Sequence, residues 1–253
     1  MKVFAVVGYT KSGKTTTIEA VIKELRKRGY SVGTVKDIHY EQFAIDAEGT
    51  NTYRHKIAGS ELVTARSFYE TDILFQEQLD IYKIAAFYET DYLILEGVRE
   101  ANVPIILTAD CVADLDERYD GRVFMVSGKI ADEIDSYKSL KAISALEDVS
   151  RVVDQIEAST FPMLPDFDPK CCNACGYDCR TLCQRIVAGE SQYEACIINQ
   201  GDLKLTIDGK NIPMVPFVQR ILKNSIAGVV TELEGYKEGG SVEIVWGDKH
   251  VKP

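Results

Sequence analysis

The first 160 residues alternate short apolar runs with amphipathic stretches. An unbroken apolar run predicts a buried strand at residues 2–7, helical spacing follows at 14–27, and a second strand is predicted at 31–36. Further strands are predicted at 61–65, 72–75, 92–95, 104–107 and 122–126, and helices at 76–87 and 149–159. Strands that alternate with helices predict the α/β class, with a doubly wound, mostly parallel sheet.

The pattern changes after residue 161. Three prolines in the stretch FPMLPDFDPK block regular structure, so residues 162–170 are interpreted as a linker after a first domain at 1–161. A cysteine-rich module is predicted at 171–200 and a small α+β region at 201–253. In the latter we predict a strand at 203–207, a turn at Asp208-Gly209, a return at Ile212, a helix at 215–233 and a closing strand at 241–246.

The loop between the first strand and the first helix matches a phosphate-binding motif. The stretch GYTKSGKT at residues 8–15 meets G-x-x-x-x-G-K-[ST] at each position, between a strand and a helix as the motif requires. In such loops the lysine reaches the β and γ phosphates, and the threonine hydroxyl binds magnesium. The sequence therefore predicts a nucleoside triphosphate site on a P-loop NTPase-type sheet, formed by Gly8, Tyr9, Thr10, Lys11, Ser12, Gly13, Lys14, Thr15 and Thr16.

A carboxylate at the end of another strand is the second element of the predicted site. The apolar run at 92–95 ends in Glu96, which a parallel strand would deliver beside the phosphates as a magnesium ligand. The alternative is that Glu96 faces solvent beyond a strand end. Loop residues after the second strand are further candidates for contact with phosphate, magnesium or water, namely Lys36, Asp37, Asp46 and Arg54, with His39 and His55 as weaker ones.

Composition and charge narrow the classes of function. The chain has 253 residues and a formal net charge of −10, so we expect neither nucleic acid nor an anionic membrane as a partner. The start of the chain fits neither a signal peptide nor a membrane span, which predicts a cytoplasmic protein. Seven cysteines in such a protein indicate a metal site more than disulfides.

Several of these segments together resemble the molybdopterin-guanine dinucleotide biosynthesis protein B family. The resemblance covers about residues 1–160 and rests on the P-loop, VKDIH, the block D-x-E-G-T-N-T-Y-R-H-K-I-A-G-S and LILEG. It implies a P-loop GTPase of low turnover that forms a homodimer and assists the guanylyltransferase that joins GMP to molybdopterin. It also implies that Lys14 and Glu96 are the catalytic residues, and that Thr15, Asp46 and Glu96 hold Mg²⁺.

Two features depart from that pattern or leave it incomplete. Asn51 stands where the family usually has an acid, and Thr50 replaces the preceding lysine. The sequence has no N-K-x-D guanine signature, so the preference for GTP is implied by the resemblance alone.

The cysteine segment has the spacing of a metal site. Taking Cys172, Cys175, Cys179 and Cys196 as ligands gives C-x2-C-x3-C-x16-C, which suits an iron-sulfur cluster or zinc. A zinc ribbon would favour two C-x2-C pairs, and only one is present. The segment also resembles the [4Fe-4S] module of corrinoid iron-sulfur proteins, so we predict a cluster, with zinc or free thiols as alternatives. Cys111 is interpreted as a small buried apolar residue.

Three functions follow from these features. The first is a GTP-binding adaptor with slow GTPase activity in molybdenum cofactor biosynthesis, whose partners would be the guanylyltransferase and, as further candidates, molybdoenzymes or molybdopterin. The second is an ATP-dependent metallochaperone or reductase-like protein whose nucleotide state controls an Fe-S cluster. The third is a nucleotide-binding scaffold without catalysis, consistent with Asn51 in place of an acid.

Overall fold

A computed structural model describes residues 1–40, 43–168, 172, 175–196, 198, 203, 205–207, 210–212, 214, 216–240 and 242–244. The chain forms two compact units, Met1–Ala195 and Cys196–Pro253. The strands are β1 (Lys2–Gly8), β2 (Val32–Lys36), β3 (Leu62–Arg66), β4 (Thr71–Phe75), β5 (Tyr92–Glu96), β6 (Ile105–Thr108), β7 (Val123–Ser127), β8 (Ser136–Tyr137), β9 (Leu140–Lys141), β10 (Leu205–Ile207) and β11 (Lys210–Ile212). The helices are α1 (Lys14–Lys27), α2 (Asn51–Ile57), α3 (Ile81–Ala85), α4 (Val112–Arg118), α5 (Val149–Ser159), α6 (Cys179–Val187) and α7 (Pro216–Val230).

The centre of the first unit is a five-stranded sheet in the order β2-β5-β1-β6-β7. All four of its pairings are parallel, and the chain between any two paired strands includes other elements. β1 lies in the middle, so the loop that follows it opens between the carboxyl ends of β5 and β6. The predicted α/β class with a mostly parallel sheet is confirmed.

Both faces of the sheet are covered, because successive side chains of a strand point to opposite sides. Val3 and Ala5 belong to one apolar cluster, together with Leu115 of α4. Phe4 belongs to the other cluster, together with Leu25 of α1. The bounds of α1 and α5 are those predicted from the sequence. The buried side chains of these two helices form much of the second cluster.

The strands predicted at 61–65 and 72–75 do not join the central sheet. β3 and β4 pair antiparallel as a separate hairpin. The reason is the short connection at residues 67–70, which cannot contain the crossover that a parallel pair requires. Leu62, Ile73 and Phe75 remain exposed on this hairpin.

Two further predictions for the first unit need correction. The helix predicted at 76–87 is formed only at Ile81–Ala85, because Asp80 caps it by accepting a hydrogen bond from the Tyr82 N–H. The stretch interpreted as a linker packs on the first unit instead. Leu164 is fully buried and forms a bridge with Asn102, because this proline-rich stretch carries apolar side chains that the core accepts.

The second unit contains the β10–β11 hairpin and the helix α7. Leu205 pairs with Ile212, which confirms the predicted return of the chain, whereas the turn at Asp208-Gly209 lies outside the described residues. The closing strand predicted at 241–246 is wrong at 242–244, where the backbone has no regular structure, and its other residues lie outside the described part. Across the described residues, no helix is long and apolar enough to span a membrane.

Candidate nucleotide-binding site

The P-loop joins the buried end of β1 to α1. Its turn is closed by a hydrogen bond of 3.2 Å from the Ser12 N–H to the Tyr9 carbonyl, and Gly13 has a φ of 95°, which favours glycine. Gly8 is needed for a different reason, because a Cβ there would lie 2.2 Å from the Thr108 carbonyl oxygen. Both glycines of the motif are therefore required by the fold of the loop.

The Lys14 side chain lies back over this loop. Its Nζ donates hydrogen bonds to the carbonyl oxygens of Gly8 at 3.0 Å and Tyr9 at 2.6 Å. Burial lowers the pKa of Lys14, and the nearby Glu96 carboxylate acts in the opposite direction. The ammonium group is thus partly desolvated and held by weak carbonyl partners, which phosphate oxygens can replace with stronger charge-assisted hydrogen bonds.

Glu96 lies beside the first turn of α1 and does not simply face solvent. Its Oε1 accepts hydrogen bonds from the Thr15 hydroxyl at 3.0 Å and from Lys36 Nζ at 2.6 Å. The sheet produces this arrangement, because Glu96 is in register with both Lys36 of β2 and Val6 of β1. A hydroxyl and a carboxylate at hydrogen-bond distance fit the oxygen ligands that Mg²⁺ prefers.

Asp46, the third predicted magnesium ligand, does not line the cleft around these residues. Its Oδ1 accepts hydrogen bonds from the hydroxyls of Thr50 at 2.7 Å and Thr52 at 2.8 Å. The bond from Thr50 is the main reason that the pKa of Asp46 is lowered. Thr50 is also the N-cap of α2, so in this structure Asp46 supports the start of that helix.

The other predicted loop residues divide in the same way. Lys36, Asp37 and His39 line the cleft, whereas Arg54 and His55 lie on α2 and do not. Of the predicted P-loop residues, Ser12 does not line the cleft, since its buried hydroxyl pairs with the Thr108 hydroxyl at 2.8 Å.

The cleft measures roughly 800 Å³ and has walls that the sequence did not reveal. These additional residues come from α4 and from the segments after β7 and β9, and they are Arg118, Gly128, Lys129, Asp132, Ser144, Ala145 and Leu146. The guanidinium of Arg118 lies 3.7 Å from the centre of the Tyr9 ring, a cation–π distance. The sequence offered one indication of these walls, because the segment after β7 begins at the carboxyl end of a parallel strand, where ligands of such sheets bind.

The predicted cysteine ligands do not assemble into a metal site in the described part of the chain. There, no three His, Cys, Asp or Glu side chains are grouped as metal ligands, and Cys171 lies outside it. Cys172, Cys175 and Cys179 belong to the first compact unit, and Cys196 is the first residue of the second.

The two remaining described cysteines occupy opposite environments. Cys183 is fully buried on α6, and burial raises its pKa to about 12. Cys111 precedes α4 and is exposed, so its interpretation as a buried apolar residue was wrong. The sequence places Cys111 just after an apolar strand, but the chain has already turned to the surface there.

Comparison with known proteins gives consistent results. A family model described as Molybdopterin guanine dinucleotide synthesis protein B matches residues 3–112. A putative molybdopterin-guanine dinucleotide biosynthesis adapter protein of Methanocaldococcus jannaschii is 30% identical, over 96% of this chain and 97% of that protein. A probable adapter protein of the same description from Bacillus subtilis is 29% identical, over 44% of this chain and 66% of its own length.

The fold has a matching solved structure. The crystal structure of Bacillus subtilis MobB superposes with a TM-score of 0.53 at 22% identity, and the match covers 61% of this chain and 98% of that one. This likeness concerns the fold. The archaeal relative, in contrast, aligns with nearly the whole chain, including the region beyond residue 161.

Proposed function

The chain belongs to the molybdopterin-guanine dinucleotide synthesis protein B family, and from that membership we propose that it is a GTP-binding adaptor of molybdopterin guanine dinucleotide synthesis. The observation that carries the proposal is the cleft in which the P-loop, Lys14, Thr15 and Glu96 meet. We further propose that the protein acts in the cytoplasm.

The phosphates would be bound by the P-loop backbone and Lys14. Their oxygens replace the carbonyl oxygens of Gly8 and Tyr9 as the partners of the Lys14 ammonium. The helix α1 begins at Lys14 with its N–H groups open to an anion, and this adds positive potential. Together they orient the triphosphate along the loop.

Mg²⁺ would be held by the Thr15 hydroxyl and the Glu96 carboxylate, directly or through water. When bound, the ion neutralises charge on the phosphate oxygens. Lys36 already contacts Glu96 and would share that carboxylate with the ion. Asp46 is not needed for this arrangement, because it is engaged with Thr50 and Thr52.

Slow hydrolysis of GTP is consistent with the contents of the cleft. Lys14 would stabilise charge on the γ phosphate while a water molecule attacks in line. Arg118 is an arginine of the cleft, but its guanidinium is stacked on the Tyr9 ring. P-loop GTPases without a positioned arginine hydrolyse GTP slowly. We therefore expect a turnover number well below about 10 per second for this chain. A binding role therefore suits the protein better than a catalytic one.

A homodimer needs an exposed apolar surface on each chain, and the β3–β4 hairpin is the candidate. A two-stranded sheet is marginally stable alone. Phe68 and Tyr69 at its turn are fully exposed, as are large parts of Leu62 and Ile73. We propose that the hairpin supports the homodimer. The guanylyltransferase, with molybdoenzymes or molybdopterin as further candidates, would then bind elsewhere on the protein.

The cysteine segment contributes no step to this proposal. Its predicted [4Fe-4S] cluster, like the alternative zinc, lacks an assembled ligand group among the described residues. The ATP-dependent metallochaperone or reductase-like protein depends on such a cluster and is therefore less well supported than the adaptor.

Nucleotide binding by the full chain tests the proposal. Calorimetric titrations with non-hydrolysable analogues of GTP and ATP, with and without Mg²⁺, should show tighter binding of the GTP analogue and a gain from Mg²⁺. Size-exclusion chromatography with the guanylyltransferase should then show a complex. Tighter binding of the ATP analogue would favour the metallochaperone, and no binding of either analogue would refute the site.

A further inference from the structure

One arginine of the cleft rests on the P-loop tyrosine and has no carboxylate partner. Arg118 is the last residue of α4, and its guanidinium stacks over the Tyr9 ring at 3.7 Å from the ring centre. Its Nε is buried without a hydrogen-bond partner among the described residues, and no ion pair engages the guanidinium there. A cleft arginine that lacks a counter-ion in a chain of net charge −10 indicates a position that an anionic ligand completes.

The Tyr9 side chain is tied to the same end of α4. A hydrogen bond with Glu117 is the main cause that raises the pKa of the Tyr9 hydroxyl, and the neighbouring Arg118 acts in the opposite direction. Tyr9 therefore keeps its proton, and its neutral ring offers a face to the cation. Two consecutive residues of α4 thus contact one side chain of the P-loop, which connects this helix end to the nucleotide site.

Arg118 lies near the part of the loop that would hold the terminal phosphates. A P-loop lysine reaches the β and γ phosphates, and here Lys14 Nζ lies 2.6 Å from the carbonyl oxygen of Tyr9, the residue that carries Arg118. Burial is the main cause that lowers the pKa of Lys14, and the positive charge of Arg118 lowers it further. Two cations that repel each other therefore share one end of the cleft, and a bound anion would relieve that repulsion.

We propose that Arg118 is a sensor of the γ phosphate, an inference that rests on the proposed triphosphate site. In the empty site, and with a diphosphate bound, the guanidinium stays on the Tyr9 ring. With a triphosphate bound, it leaves the ring and donates hydrogen bonds to oxygens of the γ phosphate. The exchange is favourable because the planar fork of arginine makes paired charge-assisted hydrogen bonds, which are stronger than a partly exposed cation–π contact.

This role suits an adaptor that hydrolyses its nucleotide slowly. A contact that is equally strong in the bound triphosphate and in the transition state raises affinity without lowering the barrier to hydrolysis. It instead separates the triphosphate-bound protein from the diphosphate-bound one, because only the former draws Arg118 away from Tyr9. The side-chain position at the end of α4 thereby reports which nucleotide is bound, and a partner protein can read it.

The test compares a non-hydrolysable GTP analogue with GDP in calorimetric titrations of the full chain with Mg²⁺. Arg118→Gln should weaken binding of the analogue by about tenfold to a hundredfold, the size of lost hydrogen bonds to a charged group. Its affinity for GDP should stay within about twofold of the wild type, because GDP has no γ phosphate, and this binding also shows that the variant is folded. The control is Arg151→Gln, an exposed arginine of α5 outside the cleft, which should change neither affinity.

A second variant tests the resting position on the ring. Tyr9→Leu removes the stack but keeps the backbone carbonyl that contacts Lys14, so the GTP analogue should bind about twofold to fivefold more tightly. GDP should bind no more tightly. The double variant with Arg118→Gln should bind the analogue as weakly as Arg118→Gln alone, because the gain depends on the arginine. A gain that persists in the double variant would contradict the resting position.

The outcomes separate this inference from the proposed function. If the wild type binds the GTP analogue and Arg118→Gln leaves that affinity unchanged, the sensor is refuted and the P-loop site stands. An equal loss for the analogue and for GDP would also refute the sensor, since Arg118 would then support the site as a whole. A wild type that binds neither nucleotide would refute the P-loop site itself, and the sensor with it.

Discussion

The nucleotide cleft and the cysteine segment each place their characteristic residues at the start of a helix, but the two helix ends differ. α1 begins after Gly13 without a capping side chain among the described residues, so its first N–H groups remain open. α6 begins with Asp178 as its cap, and the Asp178 carboxylate accepts 2.8 Å hydrogen bonds from the Thr181 N–H and hydroxyl. An open helix start next to a glycine loop can bind an anion, whereas the capped start is satisfied by its own sequence.

We expect the largest effect from Lys14→Ala, which removes a charged group of the nucleotide site. Loss of the ammonium removes charge-assisted hydrogen bonds to the β and γ phosphates, so triphosphate affinity should fall by about a hundredfold or more. The fold should persist, because among the described residues the Lys14 ammonium donates hydrogen bonds only to loop carbonyls. Titration calorimetry measures the change. Lys23→Ala, an exposed lysine on the same helix, should bind as the wild type does, and equal affinities in all three proteins would contradict the assignment.

Arg122→Ala tests a buried arginine that holds the loop after Glu96. Arg122 is buried, pairs with Asp120 at 2.6 Å and donates to the Arg99 and Ala101 carbonyls in the loop after Glu96. Removing the buried guanidinium leaves two carbonyls and the partly exposed Asp120 carboxylate without their donor. The free energy of unfolding, measured by urea denaturation, should therefore fall by about 1–3 kcal/mol.

The control for Arg122→Ala is Arg180→Ala, which removes an exposed arginine of α6. Arg180 donates to the Glu100 carbonyl of the same loop at 3.0 Å. Its loss should cost under about 1 kcal/mol, because water can replace the exposed donor. Similar costs for the two variants would mean that burial of Arg122 is not what holds the loop.

Glu96→Gln should weaken triphosphate binding moderately, and mainly when Mg²⁺ is present. The amide keeps the size of the side chain but is a poorer Mg²⁺ ligand, so triphosphate binding should weaken about tenfold with Mg²⁺ and little with a chelator present. Glu100→Gln, an exposed glutamate in the loop after the same strand, should show no magnesium effect. An equal loss of affinity with and without Mg²⁺ would show that Glu96 serves the phosphate loop only through Lys36 or Thr15.

The two regions also differ in how far the sequence predicted them. The P-loop is a continuous motif whose residues fold next to one another, and Glu96 could be placed because it ends an apolar strand. Asp132 and Ala145 could not be found in this way, because their position depends on the order of β6 and β7 in the sheet. A strand pattern reveals that a strand exists, but its neighbours are set by tertiary packing.

Asp46 and the cysteines illustrate a second limit. Asp46 belongs to a recognisable block, but local hydroxyls of Thr50 and Thr52 compete for its carboxylate. The cysteine spacing suited a cluster, yet ligand spacing describes only separation along the chain. Whether thiols meet depends on the packing of α6, and that packing buries Cys183.

The smallest effect is expected in the cysteine segment, from the pair Cys183→Ser and Cys175→Ser. A hydroxyl in place of the buried Cys183 thiol must find a hydrogen-bond partner inside the protein, so we expect a loss of about 1 kcal/mol in the free energy of unfolding. Cys175→Ser, at a partly exposed position, should leave both stability and nucleotide affinity unchanged.

Thiol chemistry and metal analysis complete this comparison of the two cysteines. The pKa of Cys183 is raised to about 12, so at pH 8 it stays protonated and should react with iodoacetamide far more slowly than the exposed Cys111, as mass spectrometry would show. Iron and zinc would be measured in protein purified without oxygen. An iron-sulfur cluster that is present in the wild type and lost in Cys175→Ser would restore the ligand set predicted from the spacing. It would also show that the thiols rearrange around a metal, since a bound metal can supply the folding free energy of a small module.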